Sequence, residues 1–528
     1  LSYSPAFFPG AFLMHDLPAS SPLPIDDVWS RSVDAGNRYR WALWALLVVA
    51  IVKLWILPLP SGFWVDEMVT AFVVHHGASH PSLKVAPQLL ATNYYWLPWA
   101  AERLFGFSEI VYRIPSTLAM GAALVLIARL AQRLIHPSAG WFFVFAALTL
   151  PGLNYEAADA RPYGLATFIA AGAALFLVRW MDRGRWIDAA AFVIFGATLW
   201  RVHLMNWPFY AVLAGYAFLR LWRGEAAAGW KQTVAIFGML AATLVPVALT
   251  ALHLLGEAKA HVIVPHPATW REFGGAFKFL LVAAAGVGAW LWGRALPGPR
   301  RKSPAGSGLF LVAGWWMCQP VALFAFSRFT GENIFVPRYL SLSLPGAALA
   351  ATAAAACFLP ADAWKRASLV MAAIVVIFIG GVPKLAPRHH NSGWRETAAE
   401  IRALGIRPDT PILYPSPFIE AQSPVWHPNF ELPGFLYCHV EFYPVGGTPY
   451  LLPFVSSPDA ERYASEIAST SLAAEDKFVI YGSDVRVEYW EKAFSRQPGL
   501  AGWNARQVAK IGDVEAVVFE RPVRAEKP

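Results

Sequence analysis

Long apolar runs, separated by short basic segments, recur along most of this chain. They are 41–60, 114–135, 139–152, 163–181, 187–202, 204–222, 232–255, 274–293, 309–327, 339–359 and 367–383. A helix of about 20 mostly apolar residues crosses the hydrocarbon core of a bilayer. The pattern therefore predicts an α-helical polytopic membrane protein with about eleven transmembrane helices. Runs 139–152 and 187–202 are short for a crossing, and tilted or re-entrant segments are expected there. Only 15% of the 528 residues are charged, against about 25% in soluble domains. The 24 tryptophans suit a protein with many lipid–water boundaries.

Basic residues set the orientation of such a bundle. Alternate connections carry Arg31, Arg38 and Arg40; Arg129 and Arg133; Arg179, Arg183 and Arg185; Arg220, Arg223 and Lys231; Arg294, Arg300, Arg301 and Lys302; and Lys365 with Arg366. An odd number of crossings with these segments inside places the N-terminus in the cytoplasm and the C-terminal region outside it. The expected location is a bacterial inner (plasma) membrane. The net charge of +8 is accounted for by these short loops, and no basic stripe of the kind that tracks nucleic acid is present. Lys53 falls inside the first run, where a lysine costs about 3 kcal/mol on insertion scales; it is expected to face the bundle or to snorkel, with a functional role at the outer cavity as the alternative.

Segment 1–40 reads as a flexible cytoplasmic tail, rich in Pro and Ser before residue 30, without the basic-then-apolar pattern of a secretory signal. Met14 is an alternative start. Residues 41–383 form the expected transmembrane domain, with outer loops 61–113, 152–162 and 256–273. From residue 384 the composition changes. A helix over 394–405, starting near a possible Ser392 cap, and strand-like runs Pro411-Ile412-Leu413-Tyr414, Phe478-Val479-Ile480-Tyr481 and Ala516-Val517-Val518-Phe519 predict a small C-terminal α/β extracytoplasmic domain over 384–528. Cys318 and Cys357 lie in apolar runs and read as small core residues, and Cys438 has no evident partner, so no disulfide or metal-thiolate framework follows.

The candidate chemistry lies on the outer side. Phe63-Trp64-Val65-Asp66-Glu67 follows the first run directly, and a carboxylate there is placed to deprotonate an acceptor hydroxyl. The alternative is a solvated acidic loop. Tyr155-Glu156-Ala157-Ala158-Asp159-Ala160-Arg161-Pro162-Tyr163 brings Arg161, a candidate phosphate fork, close to Asp159, which reads as a second acid, a metal ligand or the ion-pair partner of Arg161. Phe335-Val336-Pro337-Arg338-Tyr339 starts a late helix, where Arg338 either snorkels or meets an anionic head group. His75, His76, His80, His203, His261 and His266 share this side, but no HxxxH or HExxH spacing occurs. A divalent cation is left open and unassigned. No glycine-rich phosphate loop opens a helix, so a nucleotide-binding domain is not expected and a membrane-borne donor would have to take its place.

With these residues in hand, the chain resembles the GT-C superfamily of integral membrane glycosyltransferases, nearest the branch of protein O-mannosyltransferases and lipid A aminoarabinose transferases. The resemblance rests on Asp66-Glu67 in the first outer loop, on Leu104-Phe105-Gly106-Phe107-Ser108-Glu109 with Arg113-Ile114-Pro115-Ser116, on Ala160-Arg161-Pro162-Tyr163, and on Pro337-Arg338-Tyr339. It covers roughly 41–350 well and the tail poorly. It implies transfer of a hexosyl or pentosyl group from a polyprenyl-phosphate sugar donor, at the outer face of the membrane, to a lipid, glycan or protein acceptor, usually with inversion. It assigns Asp66, Glu67 and Asp159 to catalysis, and Arg161, Tyr163, Arg338 and Tyr339 to substrate binding. The family's acidic-basic pair before the second helix is replaced here by Ala91-Thr92-Asn93-Tyr94-Tyr95, so its metal and phosphate contacts do not carry over. A transporter or flippase for a lipid-linked or small anionic substrate is the rival reading, and a noncatalytic partner a third. Neither internal repeats nor charges at mid-membrane, the usual marks of a transporter, favour the rival.

Overall fold

In lipid, each unpaired backbone amide costs several kcal/mol, and a helix pairs all of them within one segment. Each apolar run accordingly forms helix. The computed structural model describes residues 37–257, 266–295, 306–381 and 388–522. Met14, Arg31, His261, Arg300, Arg301, Lys302 and most of the expected tail lie outside the described residues, as does the start of the expected outer domain.

Among the described residues, six helices are long and apolar enough to cross a membrane: Tyr39–Ile56, Glu109–Leu134, Tyr163–Arg183, Trp230–Leu255, Gly306–Thr330 and Pro337–Ala356. Helices Trp270–Ala276 and Phe279–Ala295 meet at 44° and make a seventh if taken as one span. The other four runs give the shorter helices Ala139–Leu148, Trp186–Val202, Pro208–Trp222 and Trp364–Phe378. The expected eleven crossings thus resolve, among the described residues, into six or seven of full length and four shorter helices. Tyr163–Arg183 and Pro337–Ala356 are central, 78% and 83% buried over their apolar windows, whereas Trp230–Leu255 is only 6% buried and turns Val234, Val245 and Leu249 outward. The two central helices are those that begin at Tyr163 and Pro337, beside Arg161 and Arg338. Lys53 lies in a π-helical turn, Val52–Ile56, and donates to the Val376 carbonyl at 2.9 Å, so it faces the bundle. Cys318 is half-buried and Cys357 is exposed, which corrects the expectation that both are core residues; in an apolar run the exposed side of a helix is free to meet lipid.

The C-terminal region forms one five-stranded sheet of β1 (Pro411–Pro415), β2 (Thr448–Leu452), β3 (Lys477–Ser483), β4 (Asn504–Ile511) and β5 (Val514–Glu520), in the order β2-β1-β3-β5-β4. β2, β1 and β3 run parallel, and β5 and β4 are antiparallel. The three expected strands are β1, β3 and β5. Helix Trp394–Ala403 is present, but its N-cap is Gly393. Ser392 instead bonds the His390 ring at 2.9 Å.

One apolar core fills the helix bundle. A second joins Phe63, Met68, Phe72 and Tyr112 of the first outer segment to Trp394, Leu413, Tyr437, Ile480 and Val517 of the sheet region. The expected first outer segment therefore folds together with the sheet region. It contains helices Val65–His76 and Trp96–Phe105. Arg395 ties the layers together by donating to the Pro60 carbonyl at 2.8 Å and to Glu109 at 3.1 Å.

Candidate functional site

Helix Val65–His76 starts immediately after Pro58 and Pro60 end the first span. Trp64 is its extended N-cap, and Glu67 reaches back to accept the Trp64 backbone N–H at 3.3 Å. Successive helical residues point about 100° apart, so the adjacent carboxylates enter different surroundings.

Glu67 turns inward and is fully buried. Arg113, also fully buried, grips it by a fork: Nε donates to Oε1 at 2.7 Å and Nη2 to Oε2 at 2.5 Å. The Ala160 backbone N–H adds a bond at 2.8 Å. The other donors of Arg113 reach the carbonyls of Leu59, Ser61 and Gly62 at 2.6–3.0 Å. Burial pushes the Glu67 carboxyl up, but the Arg113 charge and hydrogen bonds more than reverse this and hold it at about 2. Glu67 is thus a fixed anion that joins the first and second outer loops.

Asp66 turns the other way, to a partly open face. Arg338 Nη1 lies 3.0 Å from its Oδ2, and Arg161 Nη2 lies 3.9 Å from the same oxygen. Arg161 also donates to the Asp66 backbone carbonyl at 3.1 Å. One carboxylate is therefore flanked by two guanidinium groups from two different outer segments. The Nε atoms of both arginines and the Tyr163 hydroxyl are buried without a hydrogen-bond partner. His203, between the rings of Tyr163 at 5.0 Å and Tyr339 at 5.4 Å, closes the aromatic side. Burial, with the charges of Arg161 and Arg338, lowers its pKa to about 3 and keeps it neutral.

Asp159 is not the partner of Arg161. It lies behind Trp64, whose indole N–H donates to it at 3.0 Å, and His389 Nε2 is 3.7 Å away. Burial and the neighbouring Glu67 charge raise its pKa to about 6. Trp64 separates the two acidic groups: His390 stacks on it at 4.6 Å, and the Arg338 guanidinium lies 5.8 Å from its ring.

The structure thus brings Asp66, Arg161, Tyr163, Arg338 and Tyr339 to one face, with Glu67 and Asp159 in the layer beneath. Sequence reasoning gave no role to Arg113, Trp64, His389 or His390. An arginine four residues inside a long helix was a signal for a buried anion nearby; the two histidines carried no local signal. Tyr94, in the segment that departs from the family pattern, is buried and bonds Ser116 at 2.9 Å.

No family model matches the chain, and no curated protein matches it. Among solved structures, ArnT from Cupriavidus metallidurans in the apo state superimposes with TM-score 0.51 at 15% identity, over 92% of this chain and 98% of that one. The same protein bound to undecaprenyl phosphate gives 0.49 at 14% identity, with the same coverage. Arabinosyltransferase EmbB from Mycobacterium smegmatis gives 0.39 at 15%, over 63% of this chain and 33% of that one. The fold is the ArnT-like GT-C fold. Together with the apolar helices, this makes the chain an integral membrane protein.

Proposed function

We propose that this protein is a glycosyltransferase that moves a sugar from a polyprenyl-phosphate donor to an acceptor at the outer face of the membrane. The observation that carries the reading is the Asp66 carboxylate set between Arg161 and Arg338, whose buried Nε donors have no partner. Unused guanidinium donors beside the entry of the two central helices suit a phosphate arriving from the lipid. ArnT, whose apo structure shares this fold, has also been solved with undecaprenyl phosphate bound, which is in keeping with such a donor.

In this reading an acceptor O–H or N–H approaches Asp66, which takes its proton as the new bond to the anomeric carbon forms. The bond between that carbon and the phosphate oxygen breaks, and the electron pair leaves on the polyprenyl phosphate. Arg161 and Arg338 then bind the added negative charge, which is greatest in the transition state and product. Tyr163, Tyr339 and neutral His203 line the apolar side and exclude water. Glu67 holds the floor of the site, and Asp159 positions Trp64.

The test is incubation of the purified protein with a synthetic polyprenyl-phosphate sugar and analysis of released polyprenyl phosphate. The wild type is expected to transfer the sugar or slowly hydrolyse the donor, and Asp66→Asn to do neither. Movement of intact sugar-lipid between vesicle leaflets, without cleavage, would instead support the transporter.

A further inference from the structure

Behind Trp64 lies a group of side chains that do not touch the reacting groups in the transfer step. Glu67, Asp159 and His389 each offer one ligand atom, and these atoms lie within 4.8 Å of one another. They come from three distant segments: the first outer helix, the second outer loop, and the junction before the sheet region. All three side chains are at least 97% buried.

Charge balance and hydrogen bonding are both incomplete here. Arg113 matches Glu67, but neither Asp159 nor the nearby Glu156 has a guanidinium partner within ion-pair distance among the described residues. Asp159 Oδ2, Glu156 Oε2 and His389 Nε2 are buried and accept or donate no hydrogen bond. A buried carboxylate without a counter-charge costs several kcal/mol. The imidazole is held in place independently of any ion: its ring stacks on Tyr155 at 4.4 Å, and its backbone N–H donates to Ser61 Oγ at 3.0 Å.

We infer that Glu67, Asp159 and His389 form a binding site for a divalent transition-metal ion of the zinc class. One imidazole and two carboxylates are a ligand set zinc accepts, and metal bonds of about 2.0–2.2 Å place tetrahedral ligands roughly 3.3–3.6 Å apart. The observed His389–Asp159 separation of 3.7 Å is already close to that spacing. Glu67 is the ligand that must share, since Arg113 and Ala160 hold it. The strong bonds therefore go to Asp159 and His389, with water or Glu156 completing the shell. The ion would pin the junction before the sheet region onto both outer loops, behind the face that carries Asp66. Its role is structural, and the inference does not rest on the transferase reading.

The experiment uses tag-free full-length protein in detergent, stripped with a chelator, dialysed and reloaded with Zn2+. Metal content is read by mass spectrometry and stability by thermal unfolding. The wild type should retain stoichiometric Zn2+ and melt higher when loaded, because a ligand bound only to the folded state stabilises it. His389→Ala and Asp159→Asn should each lose the ion and the thermal shift, whereas His76→Ala, in a separate surface histidine cluster, should keep both. Retention of Zn2+ by His389→Ala, or its loss from His76→Ala alone, would overturn the assignment, as would a wild type that holds no stoichiometric metal. If His389→Ala does not fold, the milder His389→Gln takes its place, with weakened retention expected. Donor cleavage is measured alongside: a metal-free wild type that still cleaves donor separates this inference from the proposed function.

Discussion

Glu67 accepts four hydrogen bonds and is shielded from solvent, whereas Asp66, one residue earlier, stays partly open and faces two guanidinium groups. Substitutions at these neighbours should therefore separate cleanly. Asp66→Asn should lower turnover by about 10²–10⁴-fold, the usual contribution of a positioned general base, and leave the melting temperature close to that of the wild type. Glu67→Gln removes the anion from a buried pair and leaves Arg113 uncompensated, at a cost of about 3–5 kcal/mol; thermal unfolding of purified protein should show a large loss before any assay of activity. Reading the sequence alone put both carboxylates at the same end of the bundle as Asp159, Arg161 and Arg338, and the structure brings these residues together; apolar runs and basic loops carry that signal. It could not tell which one was buried, because that depends on Arg113, 46 positions later. Asp159 was legible as an acid in the second loop, but its neighbour His389 was not. Contact between residues so far apart leaves no trace in local spacing.

Helix Val65–His76 carries Asp66 at one end and His75 and His76 at the other. His75 lies 3.1 Å from Glu102, and His76 lies 2.9 Å from Glu441 of the short helix Cys438–Phe442. Glu441, 4.0 Å from its ring, together with Glu102 outweighs burial and raises the His75 pKa. Burial raises that of Glu441, but the two histidines outweigh it and the net shift is downward. The signs give a pH window. The raised His75 contributes full stability below its unfolded value of about 6.5 and loses it as pH rises through its folded value; the depressed Glu441 contributes above about 4.5 and loses it as pH falls through its own. The contact should be strongest near pH 5–6. Melting temperatures of wild type and Glu441→Gln, compared from pH 5 to 8, should differ most at the acidic end and converge as His75 deprotonates. A constant difference across the range would contradict this coupling. At this scale most helices were legible, because a 3.6-residue period and long apolar runs are strong signals. Strands β2 and β4 were not: β2 contains Pro449, and β4 is an exposed edge strand whose outward residues are polar.

Across the whole molecule, the sheet region and the first outer segment share one apolar core. Their seam also carries polar bonds. The Tyr443 hydroxyl accepts the Phe63 N–H at 2.6 Å and donates to Glu109 at 3.2 Å. Tyr443→Phe leaves that buried N–H without an acceptor and should destabilise the seam by about 1–3 kcal/mol, measurable as faster proteolysis between the layers and a lower melting temperature. The sequence divided the chain near residue 384 because composition changes there, but composition cannot show that residues 61–113 pack with the part beyond that boundary. This shared core sets an order of events during synthesis. Met68, Phe72 and Tyr112 are made hundreds of residues before their packing partners Trp394, Ile480 and Val517. At roughly 5–20 residues per second, the two halves of this core are separated by tens of seconds. During that interval the helix that bears Asp66 lacks the apolar packing that the sheet region supplies. The sheet region, made hundreds of residues later, is therefore what completes the core under the helix that carries Asp66.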